Sequence, residues 1–367
     1  MMRIALLGPA NSIHLQRWAN ALTARGHPIR LISQHPAPAG ALDAAVEVEG
    51  LPRQGAMGYL VNARRLGASL AAWRPDLLNA HYASGYGTTA MLCGYLPCLL
   101  SVWGSDVYDF PHQGRLQRWL LRTNLRRATA IASTSHAMAR EVRRLMAEPL
   151  DVEVTPFGVD LGRFAPARAS RSSGLVTIGT VKSLAPKYGV DLLLRAFAGV
   201  ARDPEVQAAG LTCRLVIVGD GPERSALQAL ARTLQIDTMT TLAGAVPHAD
   251  VPAWLNRLDV YVAASRLDSE SFGVAVIEAS ACEVPVVVTD VGGLPEVVVR
   301  DRTGLVVPRE DVPALQAALK RLVLDPRLRE ELGRGGRRHV AETYEWEHCV
   351  DRMERCYERT IQQARRA

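Results

Sequence analysis

The sequence predicts an α/β protein built from two doubly wound domains, each with a parallel sheet between layers of helices. The chain has 367 residues, which is enough for two separate hydrophobic cores. Short apolar runs alternate with helical patterns along most of its length, which is typical of repeated strand–helix–strand units. Hydrophobic residues make up 48% of the chain, and this fraction excludes an intrinsically disordered protein.

The first half of the chain opens with one such unit. A strand is predicted over residues 3–8, a helix over 12–25 and a second strand over 28–32, with Gly26 at the turn. Four more apolar runs in this half predict strands, over residues 45–48, 77–80, 99–103 and 130–133. The pattern predicts a first domain over residues 1–164, followed by a linker over 165–174 that is rich in Ala, Arg and Ser.

The second half repeats the pattern and predicts a domain over residues 175–345. Its clearest strands are predicted over 175–180, 215–218, 259–264 and 285–289. From Leu315 onward the pattern is helical. Polar and glycine residues follow several strands, and ligands of open parallel sheets bind at these carboxyl ends.

One loop in this half combines a glycine turn with two glutamates. Gly273 precedes a predicted helix over 274–282, whose first N–H groups and positive dipole suit a phosphate group. Glu270 precedes the helix, and Glu278 lies about one turn inside it with a side chain that leans back toward the start. Carboxylates repel phosphate, so both are expected to accept hydrogen bonds from the hydroxyls of an attached sugar.

Lysine is scarce in this chain, which makes its placement informative. Only Lys182, Lys187 and Lys320 occur among 43 basic residues, and the first two lie five residues apart in one predicted loop. An ammonium group neutralises phosphate as a point charge, so this loop is a candidate partner for a diphosphate. The alternative is that both lysines are merely solvated.

The sequence from Glu270 is Glu-Ser-Phe-Gly-Val-Ala-Val-Ile-Glu-Ala, and Pro-Val-Val-Val-Thr-Asp-Val-Gly-Gly-Leu-Pro-Glu follows shortly after it. These segments resemble the Glu-x7-Glu motif region of retaining glycosyltransferases of the GT4 type. The resemblance implies the GT-B fold, which is α/β with two Rossmann-like doubly wound parallel-sheet domains facing a central cleft. It also implies that a C-terminal helix, over about 346–367, packs back on the first domain.

The resemblance assigns roles in a donor site. Glu270 would hold hydroxyls of the donor sugar, Glu278 the ribose, and Lys182 and Lys187 the diphosphate. Further contacts with the donor are expected at Phe272, Gly273, Val274, Gly219, Gly244 and Gly293. The family usually has an arginine at the position of Lys182, and a lysine retains the charge.

Candidate residues in the first domain follow predicted strands. His81 in His-Tyr-Ala-Ser-Gly and Asp106 in Trp-Gly-Ser-Asp resemble family segments that face the donor sugar, although a strand-end Asp or His also commonly caps or packs. The first loop has one glycine, Gly8, where the family usually has a pair. Asn11, Ser12 and His14 in that loop are candidate contacts for the acceptor, and the alternative for Ser12 is helix capping.

The predicted reaction is the metal-independent transfer of a hexose-type sugar, with retention, from a nucleoside-diphosphate sugar to a hydroxyl of a glycan or lipid-linked acceptor. No residue marks a nucleophile on the opposite face of the sugar, so front-face attack is favoured over double displacement. Asp268-Ser269-Glu270 resembles an acidic metal-binding triplet, but the two lysines already supply positive charge. No cofactor and no nucleic-acid partner are expected. An epimerase of the same fold and a non-catalytic sugar-nucleotide-binding protein are the alternatives.

The cysteine pattern and apolar runs indicate the cellular setting. The six cysteines form no Cys-x-x-Cys pair, as in a reducing cytosol, and no apolar run is long enough to span a bilayer. The family implies a role in bacterial envelope or exopolysaccharide synthesis. A predicted helix carries an arginine face beside Trp119, and its arginines are Arg115, Arg118, Arg122 and Arg126. Such a helix suits the anionic inner face of the cytoplasmic membrane, and the alternative is a helix that packs Leu116, Trp119 and Leu120 on the sheet with its arginines solvated.

Overall fold

The computed structural model describes residues 1–146, 150–167 and 174–366. The chain divides into two compact units, Met1–Phe157 with Glu347–Ala367, and Gly158–Trp346. The predicted linker over 165–174 falls mostly outside the described residues. Residues 158–164, assigned to the first domain from the sequence, pack in the second unit, because Val159 bonds to Tyr344 and Trp346 through its backbone and Phe164 is buried near His248.

In the described residues the first unit has a parallel sheet of seven strands. They are β1 (Ile4–Leu7), β2 (Ile29–Ser33), β3 (Glu47–Gly50), β4 (Leu77–His81), β5 (Cys98–Val102), β6 (Ala130–Ser133) and β7 (Glu153–Val154). Their order across the sheet is β3-β2-β1-β4-β5-β6-β7. The helices are α1 (Ile13–Ala24), α2 (Gly55–Val61), α3 (Ala63–Trp73), α4 (Gly85–Cys93), α5 (Ser105–Tyr108), α6 (Arg115–Arg127) and α7 (His136–Leu145).

The described part of the second unit repeats this topology with six parallel strands. They are β8 (Leu175–Val181), β9 (Thr212–Val218), β10 (Thr240–Gly244), β11 (Val260–Ala263), β12 (Val286–Thr289) and β13 (Gly304–Val307), in the order β10-β9-β8-β11-β12-β13. The helices are α8 (Val190–Ala201), α9 (Pro204–Ala208), α10 (Arg224–Thr233), α11 (Val251–Leu255), α12 (Val274–Ala281), α13 (Leu294–Val297), α14 (Val312–Leu324) and α15 (Pro326–Thr343). The prediction of two doubly wound α/β units is confirmed.

The last helix, α16 (Trp346–Arg366), packs in the first unit. The buried Tyr357 hydroxyl donates to Asn79 of β4 at 3.0 Å. Arg25 at the end of α1 forms ion pairs of 2.5–2.7 Å with Glu347, Asp351 and Glu354. One buried hydrogen bond and a charged cluster therefore fasten α16 to this sheet.

Two differences from the predicted strands have local causes. The strand predicted over 45–48 is wrong in its position, because Ala45 and Val46 donate their N–H groups to Asp43 and form a turn, so the strand begins at Glu47. β7, β10 and β13 are not among the predicted strands. β7 is only two residues long, β10 has no buried residue, and β13 is a four-residue apolar run between turns.

Candidate functional site

Both sheets place two neighbouring loops where the strand order reverses. In the second unit the reversal lies between β8 and β11, and in the first it lies between β1 and β4. The loop after β8 contains Lys182 and Lys187, and the loop after β11 contains Glu270. Residues that are about 80 positions apart in sequence are thus brought to one edge of the sheet, where ligands of such folds bind.

Lys182 and Glu270 meet directly at this edge. The Lys182 Nζ lies 2.7 Å from Glu270 Oε2, and their side chains are 19% and 9% exposed. Burial by itself lowers the pKa of Lys182, but the charge of Glu270 outweighs it and the pKa is raised. The lysine is therefore charged over the whole neutral range, and its contact leaves the other Glu270 oxygen as an acceptor.

An aromatic ring links this lysine to the second one. Tyr188, which ends a single 3₁₀ turn over Pro186–Tyr188, has its ring centre 4.5 Å from Lys182 Nζ and 4.8 Å from Lys187 Nζ. These are cation–π distances. Lys187 has no ion pair with any carboxylate in the described residues, so its charge is available to a ligand. Sequence reasoning missed Tyr188, although an aromatic residue beside one of two scarce lysines was a usable signal.

Arg266 fastens the two loops to each other. Its guanidinium forms two hydrogen bonds of 2.7 Å with the Asp191 carboxylate, and its backbone N–H donates to the Lys187 carbonyl at 2.8 Å. Burial alone raises the pKa of Asp191, but the Arg266 hydrogen bonds hold it below its usual value. Such a two-pronged pair fixes orientation as well as distance, so the lysine loop is held in place before any ligand binds.

The acidic triplet from Asp268 to Glu270 is not a cluster of free carboxylates. Asp268 Oδ1 accepts hydrogen bonds of 2.9 Å from the Gly292 N–H and from Arg309, while Glu270 pairs with Lys182. The two carboxylates are therefore engaged by different cations. In the described parts of the chain, no three His, Cys, Asp or Glu side chains are grouped closely enough to hold a metal ion.

Helix α12 begins beside this pair. Gly273 precedes it with φ of +97°, a conformation that favours glycine, and so turns the chain into the helix. Val274 opens the helix, and the first N–H groups of a helix have no partner within it. Phe272 is buried with its ring against Tyr344 at 5.5 Å, so only its backbone can face a ligand. The Gly293 N–H donates to the Glu270 carbonyl at 3.0 Å and brings the loop after β12 to the same place.

Glu278, one turn into α12, has a partner that the sequence did not indicate. His248 Nε2 lies 2.8 Å from its Oε1, and Glu278 is buried. His248 lies in a 3₁₀ turn, His248–Asp250, shortly after β10. No motif signals this pairing, because it joins residues 30 positions apart that meet where α11, which follows the His248 turn, packs on α12.

Two of the predicted donor-site glycines join neighbouring loops. The Gly219 N–H donates to the Gly244 carbonyl at 2.8 Å, which connects the ends of β9 and β10. Gly219 has φ of +139°, and a Cβ there would lie 1.9 Å from the Lys182 carbonyl oxygen. Only glycine fits, so this position fixes the backbone of Lys182 whether or not it also contacts a ligand.

In the first unit, His81 ends β4 and is completely buried. Its ring lies 4.9 Å from that of Trp103, and neither ring nitrogen has a hydrogen-bond partner in the described residues. Burial lowers the pKa of His81 to about 3, so the imidazole is neutral at physiological pH. Burying an imidazole without a hydrogen-bond partner costs folding free energy, so His81 is a candidate for a hydrogen bond with a ligand.

Asp106, predicted to face the donor sugar, accepts hydrogen bonds from backbone N–H groups at this edge of the sheet. One carboxylate oxygen accepts from the Ala83 N–H at 2.7 Å, and the other accepts from Trp103 and Gly104 at 3.1 and 2.8 Å. Burial raises the pKa of Asp106, and these backbone donors oppose that effect. The residue joins the loops after β4 and β5, because its oxygens are occupied by backbone groups and it is 2% exposed.

The three candidate acceptor residues lie at the start of α1. Asn11 is exposed, and Ser12 makes no side-chain capping bond, so the capping alternative for Ser12 is not observed. The His14 ring stacks on Phe157 at 4.2 Å with an interplanar angle of 19°. Asn11 and Ser12 line a cavity at the edge of the first sheet, whereas His14 is engaged in aromatic packing.

Helix α6 exposes two of the apolar residues that the alternative places against the sheet. Leu121, Asn124 and Leu125 face the core, whereas Leu116 and Trp119 are 68% and 60% exposed. The alternative that Leu116, Trp119 and Leu120 pack on the sheet is therefore wrong for Leu116 and Trp119, while Leu120 is half-buried. Arg115, Arg118 and Arg126 are exposed on the same helix, while Arg122 is half-buried.

Comparison with known proteins gives two family matches. The family described as "Glycosyl transferases group 1" matches residues 167–339, and the family described as "Glycosyl transferase 4-like" matches residues 3–135. The chain is also 34% identical over 242 residues to a GDP-mannose-dependent alpha-(1-6)-phosphatidylinositol monomannoside mannosyltransferase of Mycolicibacterium smegmatis, covering 61% of this chain and 62% of that protein. It is 35% identical over 232 residues to a D-inositol 3-phosphate glycosyltransferase of Kribbella flavida, covering 59% of this chain and 53% of that protein. The chain thus spans less than two thirds of the length of these curated relatives.

Solved structures share the fold at low identity. A sucrose-phosphate synthase from Thermosynechococcus elongatus aligns over 99% of this chain and 100% of that one, with a TM-score of 0.85 and 20% identity. Anabaena HepE in complex with UDP-glucose aligns over 98% of this chain and 100% of that one, with a TM-score of 0.79 and 16% identity. A search of the described helices finds none with the length and apolar character that crossing a membrane requires.

Proposed function

We propose, from the premise that the chain belongs to the glycosyltransferases of the GT4 type, that it moves a hexose-type sugar from a nucleoside-diphosphate sugar to a hydroxyl group. The acceptor is a glycan or a lipid-linked sugar, and the setting is bacterial envelope or exopolysaccharide synthesis. The anomeric configuration is retained, and no metal takes part.

The single observation that carries the proposal is the Lys182–Glu270 pair of 2.7 Å at the reversal point of the second sheet. In the donor, the diphosphate is bonded directly to the sugar. A site for it therefore needs a cation, which binds the diphosphate, next to a carboxylate, which binds the sugar hydroxyls. Lys187, held by the same Tyr188 ring, supplies a second charge. The start of α12 supplies N–H donors on the carboxylate side.

Catalysis then rests on stabilising the departing diphosphate. Charge develops on the phosphate oxygens as the sugar leaves, and Lys182, Lys187 and the first N–H groups of α12 lower its energy. Glu270 accepts from donor-sugar hydroxyls and Glu278 from the ribose, the latter oriented by His248. His81 is neutral, because burial lowers its pKa to about 3, and would hydrogen-bond a sugar hydroxyl without acting as an acid.

Retention follows from attack by the acceptor on the same face from which the diphosphate departs. The proposal assigns no carboxylate to the opposite face, because both glutamates of the motif already have partners and roles on the donor. Proton NMR of the product anomeric signal distinguishes retention from inversion directly. Activity should persist in EDTA, since two ammonium groups neutralise the diphosphate; loss on chelation with recovery in magnesium would contradict this part of the proposal.

Two bases, guanine and uracil, are candidates for the donor nucleotide. The curated relative from Mycolicibacterium smegmatis is named as GDP-mannose-dependent, and the HepE structure contains UDP-glucose. Both are nucleoside-diphosphate sugars, and the proposed contacts to diphosphate, ribose and sugar are common to them.

A panel of labelled UDP- and GDP-sugars, incubated with the full chain and separated after reaction, tests the proposal. Release of the nucleoside diphosphate, slowly to water and faster with added acceptor, is the expected result. Conversion of the donor to its epimer would identify an epimerase of the same fold. Tight binding with neither hydrolysis nor transfer would identify a non-catalytic binding protein, and either outcome would overturn the proposal.

We also propose that α6 binds the anionic inner surface of the cytoplasmic membrane, where a lipid-linked acceptor is found. The helix has five arginines and no acidic residue, and its exposed face combines arginines with Leu116 and Trp119. Basic residues near an anionic surface contribute about 1 kcal/mol each, and exposed Trp and Leu side chains insert at the interface.

Vesicle flotation tests this location. Replacing the exposed Arg115, Arg118 and Arg126 with Glu should abolish binding to anionic vesicles, and high salt should weaken binding of the unaltered chain. The control replaces three exposed arginines of the second unit, Arg195, Arg214 and Arg232, with Glu, which changes the net charge equally. Equal loss in both variants, or equal binding to neutral vesicles, would contradict a specific role for α6.

A further inference from the structure

Helices α4 and α6 leave a cavity between them on the face of the first sheet. Its volume is about 250 Å³, and it reaches from an exposed mouth at Gly94, Leu96 and Arg127 to the buried side chain of Leu100 in β5. Its lining residues belong to α4, α6, β5 and the turns that precede strands. The cavity is therefore separate from the candidate sites, which lie in loops that follow strands.

The cavity exists because α4 turns small residues toward α6. Gly87 and Ala90 line it on α4, and a Cβ at Gly87 would lie 3.2 Å from both Leu100 Cδ1 and the Tyr82 carbonyl oxygen. A dry cavity of about 150 Å³ can hold benzene. The space between α4 and α6 is larger, so it has room for a small organic molecule.

One polar side chain in the cavity wall has an unused acceptor. Asn124 is 2% exposed, and its Nδ2 donates to the carbonyl oxygens of Ala83 and Ser84 at 2.7 and 3.3 Å and to Thr88 Oγ1 at 2.9 Å. Carbonyl oxygens only accept, so these partners fix which end of the amide faces them. The other end, Oδ1, is left for the cavity, and it is buried without a hydrogen-bond partner in the described residues. A ligand with a hydrogen-bond donor would remove this cost to the folded state.

A lone water molecule is a poor partner for this oxygen. Buried waters make about three hydrogen bonds. Other polar side chains of the wall are already used, because the Tyr95 hydroxyl donates to the Pro75 carbonyl and the Cys98 thiol donates to the Leu99 carbonyl at 3.9 Å. A water at Asn124 would therefore keep unused hydrogen-bonding capacity, whereas an apolar molecule with one hydroxyl would fill the apolar remainder of the cavity.

The charges around the cavity favour an uncharged occupant. Helix α4 ends at Cys93 and α6 ends at Arg127, and the partial negative charge of helix C-termini repels anions. The Arg127 guanidinium lies at the mouth, with its Nη1 3.8 Å from Met91 Sδ, and its positive charge repels cations. Because Arg127 is exposed, solvent screens its attraction for anions.

We propose that this cavity binds a small, uncharged and apolar molecule with one hydroxyl group, which donates its hydrogen to Asn124 Oδ1. The apolar part of the molecule packs between α4 and β5. The bond to Oδ1 polarises the amide and strengthens its N–H bonds to Ala83 and Ser84, in the loop that follows His81. Occupancy therefore stiffens this loop, and the proposed sugar transfer does not use the cavity.

Nuclear magnetic resonance on the full chain, labelled with ¹⁵N at asparagine, tests the proposal. The probes are benzyl alcohol, ethylbenzene, benzoate and benzylammonium, which share one ring and differ in their polar group. The chain has six asparagines, so few side-chain amide signals need assignment. Benzyl alcohol should shift the Asn124 side-chain signal in a saturable titration, and ethylbenzene, which has no donor, should shift it less at saturation. Benzoate and benzylammonium should bind roughly tenfold more weakly than benzyl alcohol, or not at all, because burying a charge is costly.

A variant that fills the cavity tests its location. Ala90→Leu places a larger side chain in the cavity and should abolish binding of benzyl alcohol. The control Ala68→Leu makes the same change at an exposed position of α3 and should leave binding unaltered. Undiminished binding in Ala90→Leu, an equal shift of the Asn124 signal by ethylbenzene, tighter binding of either charged probe, or no binding of any probe would each overturn the proposal. If Ala90→Leu does not fold, the comparison of probes on the unaltered chain decides alone.

Discussion

The two reversal points of this protein have the same topology and opposite chemistry. In the second unit, the loops after β8 and β11 pair with each other through Lys182 and Glu270. Arg266 and Asp268 of the second loop pair with Asp191 in α8 and with Arg309 after β13. In the first unit, the corresponding loops after β1 and β4 carry an uncharged, aromatic and hydroxyl-rich cavity, with a neutral His81 at the end of β4. The same order of strands can therefore form a charged or an uncharged site, and the side chains of the loops determine which of the two it forms.

The largest expected effect is loss of a lysine from the charged site. Lys187→Ala should lower kcat/KM for the donor roughly 10²- to 10³-fold, the effect of removing one donor to a developing oxyanion. Lys182→Ala should match this and also lower the melting temperature, because it leaves the buried Glu270 without its partner. Steady-state kinetics and thermal unfolding check both. A decrease in kcat/KM of tenfold or less in both variants would contradict the role of the lysine charges in the second unit.

Next in size are the two glutamates, which separate sugar from nucleotide recognition. Glu270→Gln should lower kcat roughly 10²-fold while nucleoside diphosphate affinity stays nearly unchanged, because it contacts the sugar. Glu278→Gln should instead weaken nucleotide affinity, and His248→Gln should do so less because it only orients the carboxylate. Calorimetry with UDP and GDP measures the nucleotide affinity of each variant, and steady-state kinetics measures its kcat. The same pattern for both glutamate variants would show that the division is wrong.

The buried imidazole of the first unit has a pH signature. The folded state lowers the pKa of His81 from 6.5 to about 3, so the unfolded chain binds more protons between these values and stability falls as the pH falls from 6.5 toward 3. The slope contributed by this group is about 1.4 kcal/mol per pH unit. Urea unfolding at pH 7, 6, 5 and 4 should therefore show a shallower acid loss for His81→Phe than for the unaltered chain. Parallel profiles would mean that the imidazole is not held neutral by burial.

The smallest expected effect belongs to Tyr188, which orients rather than binds. Its ring lies within 4.8 Å of both lysine ammonium groups. Tyr188→Leu should lower donor kcat/KM roughly threefold to thirtyfold, and Tyr188→Phe should restore most of it because the ring face remains. If Phe and Leu are equally impaired, the hydroxyl or simple packing is responsible and the cation–π assignment fails.

How much of this was predictable differs between the two units for physical reasons. The site of the second unit can be predicted from local sequence. A glycine turn, a helix start, Glu270 and Glu278 lie within nine residues, and two of the three lysines lie in one loop. His248 could not be found, because only the packing of α11 on α12 brings it to Glu278. The position of the strand at Glu47–Gly50 has a local cause instead, because the turn at Asp43 uses Ala45 and Val46.

The first unit lacks such local signals, so the sequence says less about which of its residues form a site. Asp106 follows a strand just as a ligand residue would, but its carboxylate is occupied by three backbone N–H groups that no pattern reveals. Tyr59 lies in α2 and His35 in the loop after β2, and both contact Tyr86. A site made of hydroxyl and aromatic groups resembles ordinary packing in sequence, so the structure is required to recognise it.

Calorimetric titration of UDP and GDP into the unaltered chain, Lys187→Ala and Lys320→Ala tests whether the edge of the second sheet binds a diphosphate. Lys320 is the third lysine and forms ion pairs of 3.0 Å with Asp203 and Glu205, so its removal makes the same charge change outside the proposed donor site. We expect one nucleotide to bind the unaltered chain, with an affinity that Lys187→Ala weakens at least tenfold and Lys320→Ala leaves unchanged. No binding of either nucleotide, or equal affinity in all three proteins, would contradict a diphosphate site at the edge of the second sheet.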